Sequence, residues 1–206
     1  MSHALRPGVL LDRDGTLIDV VRDEETGVVS VAFHPRHLRL LPGVIDGLLA
    51  LRDAGYALGI ATNQPGAAKG QVSVAAIAET HRALLAMLRA HGIVIDALAV
   101  CLHHPEGGPG GDRSLVGHCA CRKPAPGMLR DLLRDLSIDP ARAWMIGDAP
   151  SDLAAARSAN IRAAWIVPGR RCELCPLRGV GSPTADVIAG RFDEAVAEII
   201  RIDRSA

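Results

Sequence analysis

Short apolar runs that read as buried strands alternate along this chain with longer segments of helical period, and that alternation most constrains its fold. Gly8-Val9-Leu10-Leu11 is the first such run. Val44 to Ala54 has a helical period and stops at Gly55, a residue suited to the left-handed turn that ends a helix. Tyr56 to Ala61 is the next strand candidate, and Ser73 to Ala90 is a long Ala/Leu helix with Ser73 placed to cap it. Ala97 to Leu102 reads as a third strand, and Pro126-Gly127 opens a helix reaching about Leu136. Trp144 to Ile146 is a short strand, Ser151 to Ala159 a helix and Arg162 to Val167 a strand. Val187-Ile188 is one more short strand, before a last helix from about Asp193 to Ile200. The expected class is α/β: a doubly wound parallel sheet in a three-layer α/β/α arrangement. Residues 19–40 are expected to be an irregular excursion, long for a connection and therefore functional.

In sheets of this kind ligands bind beyond the carboxyl ends of the strands. The first strand ends in Asp12-Arg13-Asp14-Gly15-Thr16. Residues two apart on extended chain project to the same side, so Asp12 and Asp14 leave the strand aimed at one point, and Gly15 permits the sharp turn that follows. Thr62-Asn63 and Asp148 follow two other strands and are expected along the same edge. Asp-x-Asp-Gly also occurs as an ordinary loop cap. A calcium loop is a poor match, because Gly15 comes too early and Leu17 is apolar.

Size and composition narrow the function classes. A chain of 206 residues that is 49% hydrophobic can bury a core, and is expected to form a single domain over 1–206. Formal net charge is zero, from 23 basic and 23 acidic residues, and aromatic residues make up only 2%. Nothing in the charge balance favours nucleic acid or an anionic membrane, and scarce aromatics argue against base-stacking platforms, so neither is an expected partner. No apolar run approaches a membrane span, and the N-terminal apolar segment is too short for a signal peptide, so a cytoplasmic monomer is expected. Five cysteines in that setting point to thiols or metal ligands rather than disulfides.

Two constellations carry chemistry. Asp12 is a candidate nucleophile and Asp14 a candidate general acid and base. Asp148 and Asp152 add carboxylates, and such a cluster repels itself unless a cation joins it; magnesium suits carboxylate and phosphate oxygens. Thr62 and nearby backbone amides are placed to hold phosphate, Lys123 to neutralise a transferring phosphoryl group, and Arg122 to grip a substrate anion. The second constellation is Cys101-Leu102-His103 with Cys119-Ala120-Cys121, a Cys₃His set that fits tetrahedral zinc. His104 is an alternative fourth ligand. All four positions are protein-filled, so the zinc is expected to be structural and to fix a loop rich in Gly and Pro. Cys172 and Cys175 are expected to stay free thiols. His118 reads as solvated, and His81 and His91 as core or surface residues.

Together these residues resemble the haloacid dehalogenase (HAD) superfamily of aspartate-nucleophile phosphatases, in the zinc-containing branch of heptose bisphosphate and histidinol-phosphate phosphatases. The resemblance runs from about Val9 to Val167. Asp12-Arg13-Asp14-Gly15-Thr16 matches its first motif and Thr62-Asn63-Gln64 its second. Cys121-Arg122-Lys123-Pro124 with Pro126-Gly127-Met128 matches the third, and Gly147-Asp148 with Asp152 the fourth. The resemblance implies Asp12 as nucleophile and Asp14 as acid/base. It implies magnesium on Asp12, the backbone carbonyl of Asp14, and Asp148. Thr62, Asn63, Gln64, Arg122 and Lys123 become the phosphate- and substrate-binding set, and zinc falls to Cys101, His103, Cys119 and Cys121. No large cap domain is implied; loops 19–40, 64–70 and 101–121 shape specificity for a small phosphate ester. The chain departs from the branch at Val20-Val21-Arg22-Asp23, where a His-Gly-Tyr-like loop is common. It departs again at Gln64 to Gly70, and at Ala149, where a lysine often stands. A zinc-stabilised binding module without catalysis is the alternative from another class.

Overall fold

The computed structural model describes residues 5–22, 29–167 and 184–205. In chain order the strands are β1 (Arg6–Leu11), β2 (Val21–Arg22), β3 (Val29–Ser30), β4 (Ala57–Asn63), β5 (Ala97–Cys101), β6 (Ile138–Gly147), β7 (Arg162–Ile166) and β8 (Val187–Ala189). The α-helices are α1 (Val44–Asp53), α2 (Val74–Ala90), α3 (Gly127–Asp135), α4 (Pro150–Ser158) and α5 (Phe192–Ser205). Six strands form one parallel sheet in the order β5-β4-β1-β6-β7-β8, and β2 pairs with β3 in a separate antiparallel ladder. From central β1 the chain builds outward through β4 and β5, then returns to the other side for β6, β7 and β8. The carboxyl end of β1 therefore faces the crevice where the winding reverses, the usual ligand position in such sheets.

Alternation along the strands divides the core between two faces. Val9, Leu11, Leu58, Ile60, Trp144 and Ile146 pack with α1, α2 and α5 through Leu48, Leu84, Leu88, Phe192 and Val196. Leu10, Ala57, Ala61 and Met145 pack with α3 and α4 through Leu129, Leu132, Leu153 and Ala156. Each buried Leu, Ile or Val contributes about 1.5–3 kcal/mol relative to exposure. Helix α2 starts where its sequence says it should: the Ser73 side chain accepts from the Ala76 N–H.

Three expectations change. The strand expected at Trp144–Ile146 begins at Ile138; its exposed Pro140-Ala141-Arg142 stretch, with a register shift against β1, hides it from an apolar-run reading. The last helix runs from Phe192 to Ser205, because Asp203 near its end binds Tyr56, Trp144 and Arg162. The excursion at 19–40 holds, among its described residues, β2, β3 and a 3-10 turn at Pro35–His37. Two-residue strands carry no period that sequence could show. No helix among the described residues is long and apolar enough to cross a membrane. Cys172 and Cys175 lie outside the described residues.

Candidate active site and zinc centre

β1 delivers Asp12 at its tip, where the Asp12 N–H donates to the Ile146 carbonyl of β6 at 2.9 Å. Gly15 then turns the chain with φ +81; any Cβ there would collide with the Asp148 carboxylate. Asp148 follows β6, and Asp152 stands one turn into α4, where its Oδ2 accepts from the Ala149 N–H at 3.0 Å. Carboxylate oxygens of Asp12, Asp148 and Asp152 all lie within 4.8 Å of one another.

Lys123 enters this group from the segment before α3. Its Nζ donates to Asp12 Oδ1 and to the Ala61 carbonyl, each at 2.7 Å, and forms an ion pair with Asp152 Oδ1 at 2.6 Å. The residue is only 3% exposed. Burial works to strip its proton, but Asp12 and Asp152 outweigh it and raise the Lys123 pKa. One ammonium does not balance three carboxylates. Burial, then Asp12 and Asp152, push Asp148 up to about 7; burial and Asp12 push Asp152 up to about 6. The set has the oxygen chemistry and the charge deficit that a magnesium ion fits.

The second-motif residues serve this group in different ways. Thr62, at the end of β4, is buried, and its Oγ1 accepts from Gln64 Nε2 at 2.9 Å. Gln64 Nε2 also donates to Asp14 Oδ2 at 2.7 Å. Asn63 pairs reciprocally with the Lys123 backbone: its Nδ2 donates to the Lys123 carbonyl at 3.0 Å, and its Oδ1 accepts from the Lys123 N–H at 3.1 Å. In this structure the Asn63 and Gln64 side chains hold Lys123 and Asp14 in place. Arg122 donates from Nη1 to the His103 carbonyl at 3.2 Å, tying the guanidinium to the neighbouring loop.

That loop carries the Cys₃His set. Cys101 Sγ lies 3.7 Å from Cys119 Sγ and 3.2 Å from Cys121 Sγ, and the latter two sulfurs are 3.3 Å apart. His103 Nδ1 is 3.8 Å from Cys101 Sγ and 3.5 Å from Cys121 Sγ. A tetrahedron with Zn–S bonds of about 2.3 Å has edges of roughly 3.8 Å, close to the longer of these separations, so the four atoms are grouped as a set that could hold one zinc ion. His104, the alternative ligand, is used elsewhere: its Nδ1 accepts from the Gly107 N–H at 3.0 Å. Cys101 closes β5, and its carbonyl accepts from the Gln64 N–H at 2.7 Å, so zinc loop and second motif share a seam.

Sequence reasoning gives no role to Arg13, groups Asp152 with the carboxylate cluster and reads His81 as a core or surface residue; all three are buried here. Arg13 forks onto Asp14, with Nε to Oδ2 at 2.9 Å and Nη2 to Oδ1 at 3.1 Å. An arginine wedged between two acids at an apolar strand tip was the available signal.

A family profile described as HAD-hydrolase-like matches residues 120–174. A D-glycero-beta-D-manno-heptose-1,7-bisphosphate 7-phosphatase of Rhodopseudomonas palustris is 37% identical over 172 residues, covering 84% of this chain and 86% of its own. The chain belongs to the HAD-like family of phosphatases. A relative of the same name from Bordetella bronchiseptica is 36% identical over 159 residues, 77% of this chain and 79% of its own. Among solved HAD-like folds, the D,D-heptose 1,7-bisphosphate phosphatase of B. bronchiseptica, complexed with magnesium and phosphate, superposes with TM-score 0.74. It is 29% identical and covers 98% of this chain and 100% of that one. A HAD-like phosphatase from Mesorhizobium loti shares the fold, with TM-score 0.75 at 23% identity over 98% of this chain and 87% of its own.

Proposed function

We propose that this chain is a magnesium-dependent phosphatase that works through an aspartyl-phosphate on Asp12, and that it removes the 7-phosphate of D-glycero-D-manno-heptose 1,7-bisphosphate. The observation that carries the reading is Lys123 Nζ lodged 2.7 Å from Asp12 Oδ1, at the sheet edge shared with Asp148. Lys123 holds one oxygen of Asp12, and Oδ2 has no hydrogen-bond partner among the described residues, which leaves it for attack on phosphorus. Asp14 gives its proton to the leaving oxygen, then takes one from the water that opens the acyl phosphate. Thr62, Lys123 and Arg122 surround the phosphoryl oxygens. Asp12, the Asp14 carbonyl and Asp148 would hold magnesium, which supplies charge neutralisation for a dianion approaching a carboxylate. Cys101, His103, Cys119 and Cys121 would hold a structural zinc.

The heptose assignment draws on the names of the relatives. The departure at Val20-Val21-Arg22-Asp23 favours a second reading, a different small monoester such as histidinol phosphate. Turnover of both substrates with magnesium separates them. The expected result is a kcat/KM for the heptose bisphosphate at least about tenfold higher. A preference for histidinol phosphate transfers the assignment, and preference for neither removes both.

A further inference from the structure

Four hydrogen bonds converge on the Asp14 carboxylate, two on each oxygen. Oδ2 accepts from Arg13 Nε at 2.9 Å and from Gln64 Nε2 at 2.7 Å. Oδ1 accepts from Arg13 Nη2 at 3.1 Å and from the Ala32 N–H at 3.3 Å. Arg13 thus supplies one bond to each oxygen, the fork that a planar guanidinium makes with a carboxylate. Its Nη2 also donates to the Ala32 carbonyl at 3.0 Å, so the Ala32 backbone closes on both members of the pair. Arg13 and Gln64 are wholly buried, and Ala32 is buried with them. Among the described residues Arg13 Nη1 has no acceptor, so the protons of this guanidinium that find a partner go to Asp14 and Ala32.

A buried ion pair adds little stability over apolar side chains of similar volume, because both charges leave water. Stability therefore does not account for an arginine at a strand tip that follows Val9, Leu10 and Leu11 into the core. What the fork supplies is direction. A carboxylate held at both oxygens cannot turn about its Cβ–Cγ bond without breaking two charge-assisted hydrogen bonds.

We propose that Arg13 is a positioning residue for the acid–base carboxylate: its fork, closed by the Ala32 backbone, fixes the plane in which Asp14 presents its proton. The inference rests on Asp14 serving as general acid. In the first step an Asp12 oxygen bonds to phosphorus, the bond from phosphorus to the leaving oxygen breaks, and that oxygen takes the proton from Asp14. When Asp14 carries this proton, the donor facing the protonated lone pair gives way, and the other three bonds keep the plane. Without the fork the carboxylate turns, and its proton no longer points at the leaving oxygen.

Leaving-group dependence reads this out. An alkyl phosphate needs its leaving oxygen protonated, whereas 2,4-dinitrophenolate leaves unaided. Arg13→Lys keeps the positive charge and removes the fork. Measured per folded protein at saturating magnesium, it should lower kcat/KM for an alkyl phosphate about tenfold, part of the roughly 10²–10⁴ that general acid catalysis supplies. With 2,4-dinitrophenyl phosphate the loss in kcat/KM should stay below about twofold. An arginine that only supported the fold around Asp12 and Lys123 would slow both substrates alike. Arg13→Gln carries the same comparison, with the same expected selectivity, if the lysine variant does not fold. Equal loss on both substrates, or loss on neither, overturns the proposal. Asp14→Asn is the reference. If it shows selective loss while the Arg13 variant does not, this inference alone fails; if Asp14→Asn is itself unselective, the acid role of Asp14 fails and the inference falls with it.

Discussion

Lys123 donates to Asp12 and to the Ala61 carbonyl and pairs with the charge of Asp152, while the carboxylates around it still outnumber it. The consequence is testable through pH. Asp148 and Asp152 are raised to about 7 and about 6, whereas an unfolded aspartate titrates near ~3.9. Between those limits the folded, metal-free protein holds protons that the unfolded chain has released. Its stability therefore falls as pH rises from about 4 to 7, and the full cost is present above 7. His81, lowered to about 4, acts in the opposite sense between pH 4 and 6.5. The difference in Tm with and without magnesium isolates the carboxylates. That difference should grow from pH 5.5 to pH 8, because magnesium binds the ionised carboxylates that repel one another. A Tm gain that is flat or shrinks across that range contradicts the metal cluster. At this scale much of the site was legible in sequence, since Asp12, Asp14, Lys123 and Asp148 stand in recognisable local strings. What could not be read was the spending of side chains: nothing local in Asn63 or Gln64 says that one would pair with the Lys123 backbone and the other with Asp14.

At the scale of elements, α5 shows how a helix far from the chemistry is fastened. Asp203 accepts from the Tyr56 hydroxyl at 2.6 Å and the Trp144 Nε1–H at 3.3 Å, and pairs with Arg162 at 2.7 Å; the Arg162 guanidinium lies over the Trp144 ring at 4.2 Å. Three strands or strand-flanking segments thus converge on one carboxylate. Removing it leaves polar groups of Tyr56, Trp144 and Arg162 without that acceptor, so Asp203→Ala should destabilise by about 2–4 kcal/mol in chemical denaturation. The kcat of the folded protein should stay within about twofold, because the proposed catalytic groups lie at the carboxyl ends of the strands. A large loss of kcat without loss of stability would contradict this division of labour. The last turn of α5 was missed in sequence because its anchor is a contact with residues more than forty positions away, not a periodic apolar stripe. The first half of β6 was missed because its exposed residues look like a loop. By contrast, Ser73 before α2 and the apolar runs of β1, β4 and β7 announced themselves locally.

At the scale of the whole molecule, the sheet order turns separate strings into a site. Asp12 follows β1, Thr62 lies at the end of β4, and Asp148 follows β6, three adjacent strands of the parallel sheet. Parallel pairing alone brings their ends to one edge, so the alternation of strand and helix predicted the meeting place before any side chain was placed. The depth of Lys123, the fork of Arg13 and the order within residues 19–40 depend on packing between distant segments and became visible only in the fold. The central claim is that Asp12 takes the phosphoryl group. Acid quenching during turnover, followed by peptide mass spectrometry, tests it most directly. The account predicts a phosphoryl group on Asp12 itself, and an Asp12→Asn protein that stays folded, carries no label and releases no phosphate. Phosphate release by Asp12→Asn at the wild-type rate would contradict it.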